Sequence, residues 1–268
     1  MRLTAIGTSG SFPGPASAAS CYLVEHAEAG RTWRIVLDLG SGALGPLQTV
    51  CAVGEIDAVV LSHLHPDHCL DITGLYVARS YNPARPAGSA IPRIPVWAPA
   101  GAAERLSAAY HTEAGRSPVA SEYHATDLGS VFDFHELGSR AAFSIGPLAF
   151  TAHLVDHPVE AYALRIGAPD GAVLAYSGDS DECAELTAAA AGAALFLCEA
   201  AFEEDRDTVR GIHLTGRRAG RTARAAGAQA LVLTHVPPWT RAQTVAAEAA
   251  AEFSGPIEIA APAAAWDL

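Results

Sequence analysis

The segment that most restricts this chain is His63-Leu64-His65-Pro66-Asp67-His68, which leaves the apolar run Ile56-Asp57-Ala58-Val59-Val60-Leu61. Three imidazoles and a carboxylate within six positions, at the end of a buried strand, form a dinuclear metal-binding signal. A loop this short cannot aim all four side chains at one ion. Alternation sends His63 and His65 one way, and Asp67 and His68 toward a second position. The plainer reading is a solvated, histidine-rich loop, and further donor residues downstream in the chain argue against it.

A dinuclear hydrolytic site needs more nitrogen and oxygen donors than one loop provides. Three later positions carry them. His157 lies in Val155-Asp156-His157-Pro158 after the apolar run Leu148 to Leu154, Asp179 lies in Tyr176-Ser177-Gly178-Asp179-Ser180, and His235 ends Leu231-Val232-Leu233-Thr234-His235. Each stands at the carboxyl end of a predicted strand, where loops from separate strands converge. Taken singly, each histidine reads as an ordinary core or surface residue, and Asp179 as a turn or helix cap. Asp181 is expected to take the capping role and leave Asp179 free. The argument rests on all of them occurring together.

Apolar periodicity predicts strands at 2–6, 20–25, 33–38 and 57–61, a helix from Leu70 to Tyr81, a strand from Ile94 to Trp97 and a helix from Ala102 to Tyr110. A second set of strands follows at 131–135, 141–145, 148–154, 161–166 and 172–176. Helix 181–191, strand 194–198, helix 215–226, strand 230–234, helix 240–252 and strand 256–260 complete the chain. That order suits two sheets packed face to face with helices outside. No linker separates domains, so residues 1–268 read as one, with Asn82 to Pro95 as an ordered surface loop. The N-terminus lacks the pattern of a signal peptide, and no stretch of 18 apolar residues suggests a membrane span. The cysteines form no CxxC pair, which fits a reducing cytoplasm. The formal net charge is −12 and the chain contains no lysine. That balance disfavours an extended nucleic-acid surface but admits a small anionic substrate, since metal ions supply positive charge locally.

With these motifs in view, the chain resembles the metallo-β-lactamase superfamily nearly end to end. Gly7-Thr8-Ser9-Gly10-Ser11, Asp38-Leu39-Gly40-Ser41-Gly42, the HxHxDH loop, His157 followed by Ala161-Tyr162-Ala163-Leu164-Arg165, Ser177-Gly178-Asp179 and Thr234-His235 are similar to its ribonuclease Z-like branch. The resemblance implies an α+β four-layer αβ/βα sandwich with two metals. His63, His65 and His157 would hold one ion, Asp67, His68 and His235 the other, and Asp179 would bridge both. Zinc suits that donor set, with manganese or iron as alternatives. A metal-bridging hydroxide would attack the substrate, and Asp67 counts among the catalytic residues as well as the ligands.

The same branch uses a Glu/His pair to protonate the leaving group, which implies that role for Glu199 and His213. It commonly reads His-Glu-Ala-Thr where this chain has Cys198-Glu199-Ala200-Ala201, so the outer residues differ. Ribonuclease Z proper carries a long arm for precursor tRNA, in many of them between the positions matching His157 and Asp179. Here that interval holds only strand, turn and strand. A closer similarity, in His65-Pro66-Asp67-His68-Cys69-Leu70-Asp71, Phe196-Leu197-Cys198-Glu199-Ala200 and Thr234-His235-Val236-Pro237-Pro238-Trp239-Thr240, is to actinobacterial cyclic-nucleotide phosphodiesterases of this fold. It implies hydrolysis of 3′,5′-cyclic AMP to the 5′-monophosphate. A tRNA-processing nuclease, a lactonase or thioesterase, and a metal-stabilised nucleotide- or partner-binding scaffold are the alternatives. Trp239 and Tyr76 are candidates to stack on a base, with core packing as their plainer reading. Arg79, Arg85 and Arg93 are candidates to steer an anion, against a plainer reading as surface charges. Superfamily members often dimerise, so a homodimer is also an expectation.

Overall fold

The structure, a computed structural model, describes residues 1–83, 92–110 and 126–268. Among these, two mixed sheets account for the strands. The first runs, edge to edge, Ala265–Asp267, Arg2–Ser9, Cys21–Glu28, Arg31–Leu39, Ala58–Val60, Ile94–Ala98 and Phe132–Glu136, with the short Ala18–Ala19 beside Arg2–Ser9. The second runs Ile257–Ile259, Leu231–Thr234, Leu195–Glu199, Val173–Tyr176, Tyr162–Gly167, Leu148–Leu154 and Ala142–Ile145.

The near-continuous apolar runs are explained by burial on both faces. Successive residues of a strand point to opposite sides. In Ile35-Val36-Leu37, the outer two join the cluster that holds Leu164, Leu197 and Val232 from the other sheet, while Val36 joins the one that holds the helical Ile72 and Leu75. Leu197 likewise faces the inter-sheet core, whereas its neighbour Phe196 packs with Leu186, Ala219 and Val245 of the outer helices. Three core layers between helix, sheet, sheet and helix make the four-layer sandwich.

Several element ends differ from the sequence reading. The helix predicted at 70–81 is Ile72–Ser80, preceded by a separate turn Pro66–Cys69 that Pro66 opens. The helix predicted at 181–191 begins at Ala184, and its cap is the Cys183 side chain, which accepts from Leu186 N. Asp181 is not a cap, because its carboxylate is taken by arginines. The end strand Ala265–Asp267, antiparallel to Arg2–Ser9, was not anticipated. Of the predicted loop at 82–95, residues 84–91 lie outside the described residues, and Ile94 and Pro95 already belong to a strand.

The topology places the site. Val173–Tyr176, Leu195–Glu199 and Leu231–Thr234 are parallel neighbours, so Asp179, Glu199 and His235 leave the sheet at the same end. Leu148–Leu154 is antiparallel to Tyr162–Gly167, itself antiparallel to Val173–Tyr176, which brings His157 to that end too. The two sheets meet there: Tyr162 N donates to Ser62 O at 2.9 Å, beside the histidine loop.

Candidate metal centre

His63, His65 and His157 converge. His63 Nε2 and His157 Nε2 lie 3.0 and 3.2 Å from His65 Nδ1. Their other nitrogens explain the orientation: His157 Nδ1 donates to Ile212 O at 2.8 Å, and His63 Nδ1 lies 3.1 Å from Ser62 Oγ. Those bonds select the tautomer whose Nε2 lone pair faces inward. Burial pushes all three imidazoles below the usual histidine range, so they are neutral donors.

The second group is Asp67, His68 and His235, with His235 Nε2 3.2 Å from both His68 Nε2 and Asp67 Oδ2. Asp179 stands between the groups. Its Oδ1 lies 3.2 Å from His68 Nε2 and 3.4 Å from His235 Nε2, while its Oδ2 lies 3.6 Å from His63 Nε2. One carboxylate thus offers an oxygen to each cluster. The donor atoms of His63, His65, His157 and Asp179 all lie within 4.8 Å of one another, as do those of Asp67, His68, Asp179 and His235.

The fit to cations shows in Asp179 itself. It is 2% exposed, and its Oδ1 is buried with no hydrogen-bond partner. A carboxylate oxygen buried between imidazole nitrogens that make no aligned hydrogen bond to it is costly unless a cation completes it. Burial raises the Asp179 carboxyl, but His235 and His68 outweigh it and hold it well below the usual range. Burial likewise opposes charge on His68, yet Asp179 and Asp38 hold it well above its ordinary value. Bound divalent ions would replace that imidazolium proton with metal charge.

Asp38, which the sequence places in a family-like turn without a role, proves to be a partner of the site. Fully buried, it accepts from His68 Nδ1 at 2.7 Å, Ser62 N at 2.6 Å, Ser62 Oγ at 2.8 Å and Tyr176 OH at 2.5 Å. The signal available was an aspartate ending the apolar strand at 33–38, a position where burial demands partners.

At the edge of the second group, His213 Nδ1 donates to Glu199 Oε1 at 2.9 Å. Glu199, 1% exposed, also accepts from Ser180 N at 3.0 Å and Ala201 N at 3.1 Å, which fixes it as a buried carboxylate engaged on both oxygens. Burial disfavours the imidazolium of His213, but Glu199 and then Asp179 outweigh it and raise the pKa to about 9. The loop that carries His213 is held by Asp181. That residue accepts from Arg210 Nε at 2.5 Å, Gly211 N at 2.8 Å and the buried Arg218 Nη1 at 3.0 Å, while Arg218 also reaches His213 O at 3.3 Å.

The remaining candidates separate. Tyr76 is buried in the cluster with Ile72 and Leu75 and meets Tyr81 and Tyr110, in line with its plainer reading as core. Trp239 is not core: it is 59% exposed and rests on Phe12, with ring centroids 4.9 Å apart. Arg79 is tied to Val53 O and Pro92 O, and Arg93 to Gly129 O and Asp133. Both lie with Ile94 and Arg31 around a cavity near the start of Ile94–Ala98, the opposite strand end from the histidines. Arg85 lies outside the described residues.

The comparisons with known proteins agree with this geometry. A family model described as a beta-lactamase superfamily domain matches residues 33–236. The chain is 42% identical over 268 residues to a Mycobacterium leprae protein described as uncharacterized, covering all of this chain and 89% of that one. It is 29% identical over 268 residues to the probable metallo-hydrolase YhfI of Bacillus subtilis, end to end in both. The crystal structure of YhfI, a metallo-beta-lactamase fold protein, superposes with a TM-score of 0.82 at 27% identity, over 99% of this chain and 98% of that one. Human tRNase Z, short form, shares the fold with a TM-score of 0.73 at 20% identity, over 100% and 99% of the two chains. With its paired donor clusters at one end of a four-layer sandwich, the chain belongs to the metallo-β-lactamase superfamily.

Proposed function

We propose that this chain is a metal-dependent phosphodiesterase that hydrolyses 3′,5′-cyclic nucleotides, cyclic AMP foremost, to 5′-monophosphates, and that residues 1–268 work as one hydrolase domain. The observation that carries this reading is the His213–Glu199 pair at the rim of a donor set centred on Asp179. His63, His65 and His157 would hold one cation, Asp67, His68 and His235 the other, and Asp179 both. Two such cations supply Lewis acidity toward phosphoryl oxygens and lower the pKa of bound water. The nitrogen-rich set suits zinc, with manganese or iron compatible.

The chain's own residues do the rest. Asp38 keeps the His68 lone pair aimed inward, Ile212 O does the same for His157, and Asp179 spans the two groups. Hydrolysis forms a bond from water oxygen to phosphorus and breaks phosphorus–O3′. The departing alkoxide is a poor leaving group, and His213, held protonated by Glu199, delivers the proton it requires and is reprotonated from solvent. A lactone or thioester needs less help from a separate acid, which favours the phosphodiester. The interval from His157 to Asp179 is a plain hairpin, Tyr162–Gly167 paired with Val173–Tyr176, which suits a small substrate.

The test is turnover of cyclic AMP by metal-loaded protein, with Asp67→Ala as control and chromatography of the product. Formation of 5′-AMP that disappears in the variant supports the reading. No turnover at two metals per chain, alongside hydrolysis of a homoserine lactone, would replace it with the acyl-hydrolase alternative.

A further inference from the structure

Beside the metal centre a cavity of about 370 Å³ opens between the histidine loop, the segment after Ile94–Ala98 and the turn after His157. Its wall includes His65, one of the converging imidazoles, so a ligand filling it touches the edge of the metal cluster. Leu64, Pro99, Ala100 and Val159 make the lining apolar, and Val159 is 40% exposed with no core role. One cation, Arg105, and one carboxylate, Glu160, complete it. Each is steadied from behind by a single atom. Arg105 Nε donates to Leu64 O at 2.8 Å, and Tyr162 OH donates to Glu160 Oε1 at 2.7 Å. Each head is thereby tethered at one atom.

We propose that this pocket receives the base of the nucleotide and selects bases bearing an exocyclic amine, with Glu160 accepting from the amine and Arg105 donating to ring nitrogen or carbonyl acceptors. The proposal rests on the nucleotide reading of the metal centre. A flat ring suits apolar walls, and a base edge that alternates donor and acceptor suits a carboxylate beside a guanidinium. The exposed Phe12–Trp239 pair is the competing platform. It offers stacking, which every base satisfies equally, and the Trp239 carbonyl is already taken by Arg206 at 3.2 Å. Selection among bases therefore falls to the pocket.

The experiment is calorimetric titration of metal-loaded protein with 5′-AMP and with 5′-IMP, which differ in a 6-amino against a 6-oxo group, together with turnover of cyclic AMP. We expect 5′-AMP to bind at least about tenfold more tightly. Glu160→Gln, whose amide can donate to the 6-oxo group, brings the two within about threefold, while Trp239→Ala keeps the ratio. Glu160 is exposed, and an unchanged melting temperature certifies the variant's fold. Equal binding of both nucleotides by the unaltered protein, no nucleotide binding, or a preference lost in Trp239→Ala but kept in Glu160→Gln would each overturn the pocket. Preference in binding without cyclic AMP turnover would leave the pocket standing and sink the phosphodiesterase reading. Turnover without preference does the reverse.

Discussion

The proposed acid role of His213 rests on opposed effects: burial disfavours its proton, and the carboxylates of Glu199 and Asp179 more than restore it, to about 9. Bound cations would draw off part of the charge of Asp179 and bring that value down from about 9. An acid must be protonated to act, so kcat on cyclic AMP should fall as pH rises through that value. In His213→Ala this alkaline limb should vanish and kcat should drop about 10²–10⁴-fold, with much smaller loss on bis(p-nitrophenyl) phosphate, whose leaving group needs no proton. An unchanged pH profile at normal metal content would exclude the role. Asp38 acts one bond further out. Asp38→Asn leaves the Nδ1 of His68 without its anionic acceptor and should weaken metal retention about 10–100-fold, measured by competition with a chelator. The candidate metal donors were legible in the sequence because each sits just past an apolar run. Asp38 and Asp181 were not, since their partners Tyr176 and Arg218 lie 138 and 37 positions away and no local spacing links them.

At the level of elements, the turn after Arg31–Leu39 has to pass directly over the histidine loop. A Cβ on Gly40 would stand 1.9 Å from the Asp67 carbonyl oxygen, a backbone atom that cannot swing aside. Gly10 makes a similar approach, 2.4 Å, to the His235 carbonyl. Both glycines lie in motifs that support the family resemblance, and the structure gives the physical reason for them: the backbones that carry Asp67 and His235 are packed against other backbone. Gly40→Ala should therefore cost on the order of 1–3 kcal/mol in denaturant unfolding and lower metal occupancy as well, whereas Gly54→Ala, which meets nothing within 4 Å, should do neither. Equal effects at the two positions would refute the close-packing account. Strand positions were readable because burial on both faces leaves long apolar runs. Element ends were less so: the onset of Ala184–Ala189 is set by Cys183 and by the recruitment of Asp181 into an ion pair, and the three residues of Ala265–Asp267 are too few to show alternation.

Across the whole molecule, the donors come from both halves of the sandwich: His63, His65, Asp67 and His68 follow a strand of the first sheet, and His157, Asp179 and His235 follow strands of the second. The direct ties between the sheets at this end include Tyr22 OH with Thr234 Oγ1 at 2.7 Å and Tyr176 OH with Asp38 Oδ2. Cations shared through Asp179 would add cross-links between the same two layers. Ions that bind the folded chain and not the unfolded one stabilise it by mass action, about 2.7 kcal/mol at a hundredfold excess over Kd. For a chain of this size that corresponds to roughly 5–10 °C in melting temperature. Stripping with a chelator should lower the melting temperature by that amount, and zinc should restore it. Because the inter-sheet core around Tyr22, Phe150 and Leu197 does not depend on the ions, hydrogen exchange should quicken in 63–68 and near His235 and stay slow in Leu195–Glu199. Loss of protection throughout would mean that the cations hold the two sheets together, and an unchanged melting temperature with no bound metal would remove the dinuclear centre from the account.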